Sequence, residues 1–402
     1  MKALHTALLI LALVTQAHAQ GEQESRRWSD IEATARGQTV YFNTWGGEPR
    51  INRYLVWVAE QVLQRYDITL RHVRLADTAL ATSRILAEKQ TGNREAGSVD
   101  LVWVNGENFA TMKSNELLYG PWAESLPNFA LVNAEQYPEM RQDFTVPTAG
   151  LESPWLRAQL IFYYDKTVVP QPPMSVTELL GWAKRNPGEF TYPRPPDFLG
   201  STFLKQAILE INESDPALYE PANPESLTRL GNPLWAFLDQ LHPYLLHNGR
   251  FFPSSGARLR RLLADGDTAL AFSFSPGEAV TAITAGELPG TVRSYVLSTG
   301  TLSNVSFLAI PFNASSKAAA QVVANFLLSP QAQARASQPE QMGSATVLDL
   351  TLLTDRQRQA FANIQASPAA VPAADLNRRI PEPHPSWMPA LERAWLQRYM
   401  QP

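Results

Sequence analysis

A strand, a glycine-containing turn, a helix and a second strand follow one another near the start of this chain, and that order dictates a parallel sheet. Residues 38–45 (QTVYFNTW) are a β-branched and aromatic run that stops at GGEP, 46–49. From Arg50 onward Ile51, Tyr54, Leu55, Val58, Val62 and Tyr66 recur at helical spacing. DITLRHVRL, 67–75, then reads as a second strand. Two strands joined by a helical crossover must run parallel. A helix is predicted over 76–90, and SVDLVWVNGENF, 98–109, holds a third buried strand that ends in a polar loop.

The alternation continues. RAQLIFYY (157–164) reads as a strand, and the helix behind it opens with a capping box of Ser175 and Glu178. Residues 189–209 read as strand, proline-rich loop and helix, and 259–283 as helix, turn, strand, loop and helix. Residues 301–334 give a strand and a helix, and 386–400 a closing helix with Leu391, Trp395, Leu396 and Tyr399 on its apolar side. A chain of 402 residues, 45% hydrophobic, is too long for one small core. Its 31 prolines gather in connections, and passages near 144–154 and 289–300 split the β/α pattern. The expected architecture is α/β with two lobes and strands crossing between them. Lobe one takes 38–146 plus 296–330, and lobe two 150–292 plus 335–402. Pro147 and Gly150 fall where the first crossing would hinge.

Lys2 and His5 precede an apolar run from Ala7 to Val14, followed by Ala17-His18-Ala19. A basic start, a short apolar stretch and a small-x-small site are the parts of a secretory signal peptide. The run is too short to span a bilayer, which needs about 20 apolar residues. The expectation is a leader over 1–19, a mature chain from Gln20, and a periplasmic protein released from the membrane. Cysteine is absent, so neither a lipid-bearing cysteine nor a disulfide is available.

The net charge of −4 carries no footprint for nucleic acid. No Walker loop, nucleophile elbow or dinucleotide fingerprint occurs. Beyond the leader the histidines are His72, His242, His247 and His384, and His242 and His247 stand five apart, wrong for a helical zinc pair. No cofactor or metal is expected.

Several stretches resemble the family 1 extracellular solute-binding proteins of ABC transporters. They are LIFYYDKTVVPQPPMSVTELLGWAKRNPG, ADGDTALAFSFSPG, VSFLAIPFNASSKAAAQVVANFLLSPQAQA and SVDLVWVNGENF, in the family's order over most of 38–335. The chain looks closest to the YnjB-like subgroup. The resemblance implies a type II periplasmic-binding-protein fold: two lobes, each a sheet flanked by helices, joined by a multi-strand hinge. It implies capture of a small polar solute, delivery to an ABC permease and ATPase complex, no enzymatic activity, and a monomer. Iron carriers of the family place adjacent tyrosines after the strand of the Gly-Asp element. Here Ser273-Phe274-Ser275 stands in that place, while Tyr163-Tyr164 lies on another strand.

In such a fold the solute sits at strand ends, in the cleft between lobes. That selects Trp45, Gly46, Gly47 and Glu48 after the first strand, and Asn105, Glu107 and Asn108 after the third. From the other lobe it selects Gly200, Ser201 and Thr202 at a helix start, Ser273, Phe274, Ser275 and Glu278, and Asn304 near the return strand. Each has a plainer reading: Gly46-Gly47 as a turn, Glu48 as a first-turn acid, Ser201 and Thr202 as N-caps, Trp45 as packing. Acidic candidates (Glu48, Glu107, Glu278) outnumber the one basic candidate, Arg194, which favours a cationic or polyhydroxylated solute. The Phe274-Ser275-Pro276-Gly277 loop, with Trp45 on the first loop, resembles the thiamine-type carriers, which implies a thiamine-like one. The competing class is a secreted hydrolase or sugar-active enzyme with Glu48 and Glu278 as paired carboxylates, which glycosidases hold roughly 5–9.5 Å apart. A scaffold or sensor on the same fold is a third.

Overall fold

A computed structural model of the chain describes residues 27–362, 367–372 and 374–400. The expected leader over 1–19 and the expected start at Gln20 lie outside the described residues. β1 (Thr39–Trp45) and β2 (Thr69–Leu75) pair in parallel over seven residues, with the helix Pro49–Tyr66 as crossover. Glu48 caps that helix, Pro49 occupies a position that needs no N–H donor, and Ile51, Tyr54, Leu55, Val58 and Val62 are buried. β3 (Leu101–Val104) pairs with the other side of β1. β4 (Gln142–Asp143) and β5 (Val146–Pro147) form a small separate hairpin.

β6 (Glu152–Gln159) passes into β7 (Ile161–Asp165) with only Leu160 between, and there the chain changes sheets. The sequence read 157–164 as one strand because no glycine or proline marks the switch. β8 (Leu270–Ser273) and β9 (Val292–Tyr295) flank β7, both antiparallel. β10 (Thr301–Ala309) returns to the first sheet and runs antiparallel to both β3 and β6. β11 (Ala345–Thr346) and β12 (Arg379–Pro381) complete it, in the order β11-β6-β10-β3-β1-β2 with β12 on β10. The β6–β10 register shifts between Ser306 and Phe307, opposite Leu156 and Pro154. Pro154 has no N–H for the ladder, so the break falls where a donor is missing.

Two separate apolar cores result. One gathers residues from 35–156 and 305–361, the other from 160–302 and 369–395. We assign one lobe to each core, which differs from the sequence division in two places. β6 belongs wholly to the first sheet, so the crossing lies at 159–161 and not at Pro147 or Gly150. Gly150 is held in the first lobe, its carbonyl accepting from the amides of Trp122 and Ala123. The stretch 335–361, expected in lobe two, packs Ala336, Met342, Val347, Leu348, Leu353 and Phe361 into the first core, and only 369–395 joins the second.

The hinge has several strands. β6 and β10 run side by side into it, and β12 pairs with Thr301–Ser303 of β10. Buried Gln206, from the helix Phe198–Ile211, donates to the Gly300 carbonyl at 3.2 Å and accepts from the Leu302 amide at 2.9 Å. Gln159 donates to Thr301 Oγ1 at 3.2 Å and to the Arg378 carbonyl at 3.0 Å. The helix Val176–Arg185 is capped by Ser175 as expected, but the Glu178 carboxylate accepts from the Met174 amide and leaves the box open. The helix Pro224–Leu241, which the sequence reading passed over, carries a reciprocal Asn223–Ser226 cap.

Candidate solute-binding cleft

The C-terminal ends of β1 and β3 face the second lobe, and two sets of side chains meet there. Along one rim the contacts are ionic. Glu48 accepts from Arg50 Nε at 3.1 Å, and Arg50 reaches across to Glu278 at 3.7 Å. Arg260, from the second lobe, holds Glu278 at 2.5 Å and Glu287 at 2.9 Å and reaches Glu48 at 3.8 Å. Two charges from each lobe therefore alternate in sign across the gap, with Glu287 as a fifth member. Beside them the backbones touch: a Cβ on Gly277 would sit 2.2 Å from the Gly343 carbonyl oxygen of the first lobe. Glu48 and Glu278, expected to meet solute, are occupied in this network, and Glu48 also caps its helix.

The other side is a buried polar cluster. Glu107 starts the helix Gly106–Ser114, and Asn108 donates to its Oε1 at 3.0 Å. Asn108 also receives Thr82 Oγ1 at 3.4 Å, so it orients Glu107 and is itself buried. Asn105 holds the N-cap position without a side-chain capping bond. Asp143 steadies this loop by accepting from the Gly106 amide at 2.8 Å, and the adjoining Phe144 ring lies where a Gly106 Cβ would be, 2.8 Å away. Lys205 of the second lobe points at that ring from 4.9 Å. Its ammonium pairs with Glu382 at 2.7 Å, both side chains at most 1% exposed, and Glu382 also accepts from Asn304 at 3.0 Å. One turn before Lys205, Ser201 donates to Glu392 at 2.5 Å.

Burial pushes the Glu107 carboxyl up to about 7, and the charges of Glu392 and Asp77 add to the rise while Lys205 opposes it. Glu392 is raised as well, by burial first and then by Asp77, against the pull of Ser201 and Lys205.

Aromatic rings sit between the two sets. Trp45 ends β1 at 41% exposure, and its ring covers Gly47, where a Cβ would fall 2.6 Å from the indole. Gly46 is required by packing, since its Cβ would meet Arg74 Cβ at 2.5 Å. Phe198 is partly exposed and stands edge-on to Phe274 at 5.2 Å. Ser275 Oγ is buried without a hydrogen-bond partner, and its amide bonds Ser273 Oγ at 3.2 Å.

The helix expected to open at Gly200 opens at Phe198 with Asp197 as its cap, accepting from the Leu199 amide. Gly200 is there because its Cβ would strike the Pro193 carbonyl oxygen at 2.2 Å. Thr202 is fully buried and spends its hydroxyl on the Phe198 carbonyl at 2.7 Å, so it does not present a group to solute. Arg194 lines an open groove with Arg250, Phe251 and Tyr399. Among the described residues no three His, Cys, Asp or Glu side chains converge as metal ligands.

Two lobes on separate sheets, a return strand set between β3 and β6, and a polar cleft at strand ends define a two-lobed binding protein. The sequence profile described as bacterial extracellular solute-binding protein matches residues 57–355, and the chain belongs to that family of ABC-transporter components. It is 47% identical over 372 residues to Protein YnjB of Escherichia coli (strain K12), covering 92% of this chain and 94% of that one. Similar solved structures include the periplasmic binding protein AfuA of Actinobacillus pleuropneumoniae, with TM-score 0.63, 16% identity, and 91% and 99% of the two chains covered. Another is a putative spermidine/putrescine ABC transporter from Listeria monocytogenes, with TM-score 0.64, 15% identity, and 90% and 99% covered.

Sequence reasoning did not find Arg50, Asp77, Phe144, Phe198, Lys205, Arg260, Glu382 or Glu392. Arg50 and Phe198 lie two residues from segments that it had marked at strand ends and a helix start, so position was a usable signal for them. Glu382 and Glu392 reach the cleft only through tertiary packing of the tail.

Proposed function

We propose that this protein captures a small organic cation with a flat or apolar face between its lobes and hands it to the ABC permease. The carrying observation is that Glu107 and Glu392, from opposite lobes, form no ion pair among the described residues, with the charge of Glu392 acting on Glu107 and that of Asp77 on both, while the buried ammonium of Lys205 is already matched by Glu382. Closing two lobes on unbalanced carboxylates costs electrostatic energy that a bound cation offsets. Exposed Trp45 and Phe198 offer rings to such a solute, by stacking or cation–π contact.

The fold relatives vary in their solutes: one is described as a spermidine/putrescine transporter, and another holds fructose-6-phosphate. At 15–16% identity they share the fold, and the solute class is read from this chain's own charges. A sugar phosphate would meet the carboxylates of Glu107 and Glu392, which disfavours it. The binding-protein reading outweighs a hydrolytic one because Glu48 and Glu278, the pair hydrolysis would need free, are held by Arg50 and Arg260. Export through the leader at 1–19, a periplasmic location and a monomeric state belong to the same proposal.

The test is a melting screen of the ligand-free protein. A ligand at about 100 times its Kd adds roughly 2.7 kcal/mol of stability. Millimolar thiamine or a polyamine should raise the melting temperature, and sugar phosphates and neutral sugars should not. Stabilisation by anions alone would contradict the proposal.

A further inference from the structure

We infer that the C-terminal segment is a wall of the solute site, and that Glu392 is a specificity-determining carboxylate that shares the solute's cationic group with Glu107 of the opposite lobe. This rests on the cation-binding reading above and adds to it the residue that selects from the second lobe.

A chain of contacts links the segments that carry the two acids. Glu392 accepts from Ser201, and Ser201 lies one helical turn from Lys205, on the same face. Lys205 Nζ stands 4.9 Å from the Phe144 ring, and that ring packs on Gly106, the neighbour of Glu107. Tail and first lobe thus approach each other around Lys205, whose charge acts on both Glu107 and Glu392.

The tail is built to hold its acid still. Its helix, Trp387–Tyr399, buries Trp387, Leu391 and Trp395. Trp395 Nε1 donates to the Tyr192 hydroxyl at 2.8 Å, and Trp387 Nε1 to the Glu220 carbonyl at 3.2 Å. Arg398 pairs with Asp239 on the helix Pro224–Leu241. Ser201 engages Oε1 of Glu392, and among the described residues Oε2 has no hydrogen-bond partner. A single fixed oxygen leaves the other free to accept from a solute donor.

The second tail acid accounts for the only nearby ammonium. Glu382 takes Lys205 with one oxygen and Asn304 with the other. Lys205 is therefore committed, and among the described residues neither Glu107 nor Glu392 forms an ion pair. Two half-buried carboxylates from opposite lobes, neither of them in an ion pair, repel in their charged forms as the lobes approach. A cationic group between them reverses that sign, and by contacting both lobes it favours the closed state.

Isothermal titration calorimetry of the full chain tests this with thiamine and putrescine as cationic probes, and with maltose and fructose 6-phosphate as neutral and anionic ones. Glu392→Gln should weaken the cationic probe roughly 10- to 100-fold, the scale of one charged hydrogen bond. Glu392→Asp keeps the charge and should recover part of that loss, which a purely structural role would not produce. Ligand-free melting of each variant separates lost binding from lost fold. Wild-type affinity in Glu392→Gln, alongside a loss in Glu107→Gln, overturns the role of the tail and leaves the cation reading standing. Tighter wild-type binding of maltose or fructose 6-phosphate than of either cation overturns both.

Discussion

Lys205 and Glu382 have side chains at most 1% exposed and bond each other at 2.7 Å, so neither tolerates loss of its partner. Replacing one member of a buried pair leaves an uncompensated charge, a cost of about 3–5 kcal/mol. Lys205→Met should lower unfolding stability by that amount in urea titration, with a smaller loss if Glu382 is replaced as well. Glu107 titrates differently. Burial raises its carboxyl from an ordinary 4.5 to about 7, so the folded state holds that proton more tightly than the unfolded state does. Its stabilising contribution is complete below about 4.5 and is lost as pH climbs through about 7. Ligand-free stability should therefore fall over that window, and the slope should flatten in Glu107→Gln. A cationic solute favours the charged form, so its affinity should rise over the same window; calorimetry at pH 5.5 and 8 reads the difference. Trp45 belongs at this scale too. At 41% exposure it contributes little to the core, and Trp45→Ala should leave ligand-free melting nearly unchanged while weakening solute roughly 5- to 150-fold. A melting drop of core size would mark Trp45 as packing.

The elements most readable from sequence were those whose period and end signals agree. The first βαβ unit is one: its helix bears a cap, a proline at N1 and apolar residues at helical spacing. Residues 157–164 misled because an apolar run looks the same whether it stays in one sheet or passes to another. Strand ends selected Glu107 and Asn108, which open the helix Gly106–Ser114 directly after β3, since a parallel sheet fixes where its loops emerge. They could not show that Thr202 turns its hydroxyl onto its own helix, or that Glu48 and Glu278 are bound to arginines. The first is a bond to a carbonyl four residues back in the same helix, and the second is completed only when the lobes meet, Arg50 reaching Glu278 and Arg260 reaching Glu48. The Gly277–Gly343 approach is of the second kind, and it carries a prediction. A methyl at Gly277 would lie 2.2 Å from the Gly343 carbonyl oxygen, so Gly277→Ala should hold the lobes apart. Small-angle scattering with saturating solute should give a larger radius than the wild type, with weaker affinity. An unchanged closed radius would show that the contact does not gate closure.

Across the whole molecule, two cores are joined by β6, β10 and the tail, and the lobes meet at an ionic rim and at an acidic pocket. In the rim every carboxylate of Glu48, Glu278 and Glu287 is already held by Arg50 or Arg260, so it can close without a solute. Glu107 and Glu392 form no ion pair among the described residues, and on the proposed function it is there that the occupant matters. On that proposal rim and acids make a clamp whose closed state a cation completes. Native mass spectrometry of the protein exported from a bacterial host, purified without denaturation, reads that occupant directly. The expected spectrum carries a small organic cation that is absent after unfolding and depleted in Glu107→Gln. A bound anion or neutral sugar, retained equally in Glu107→Gln, would contradict it.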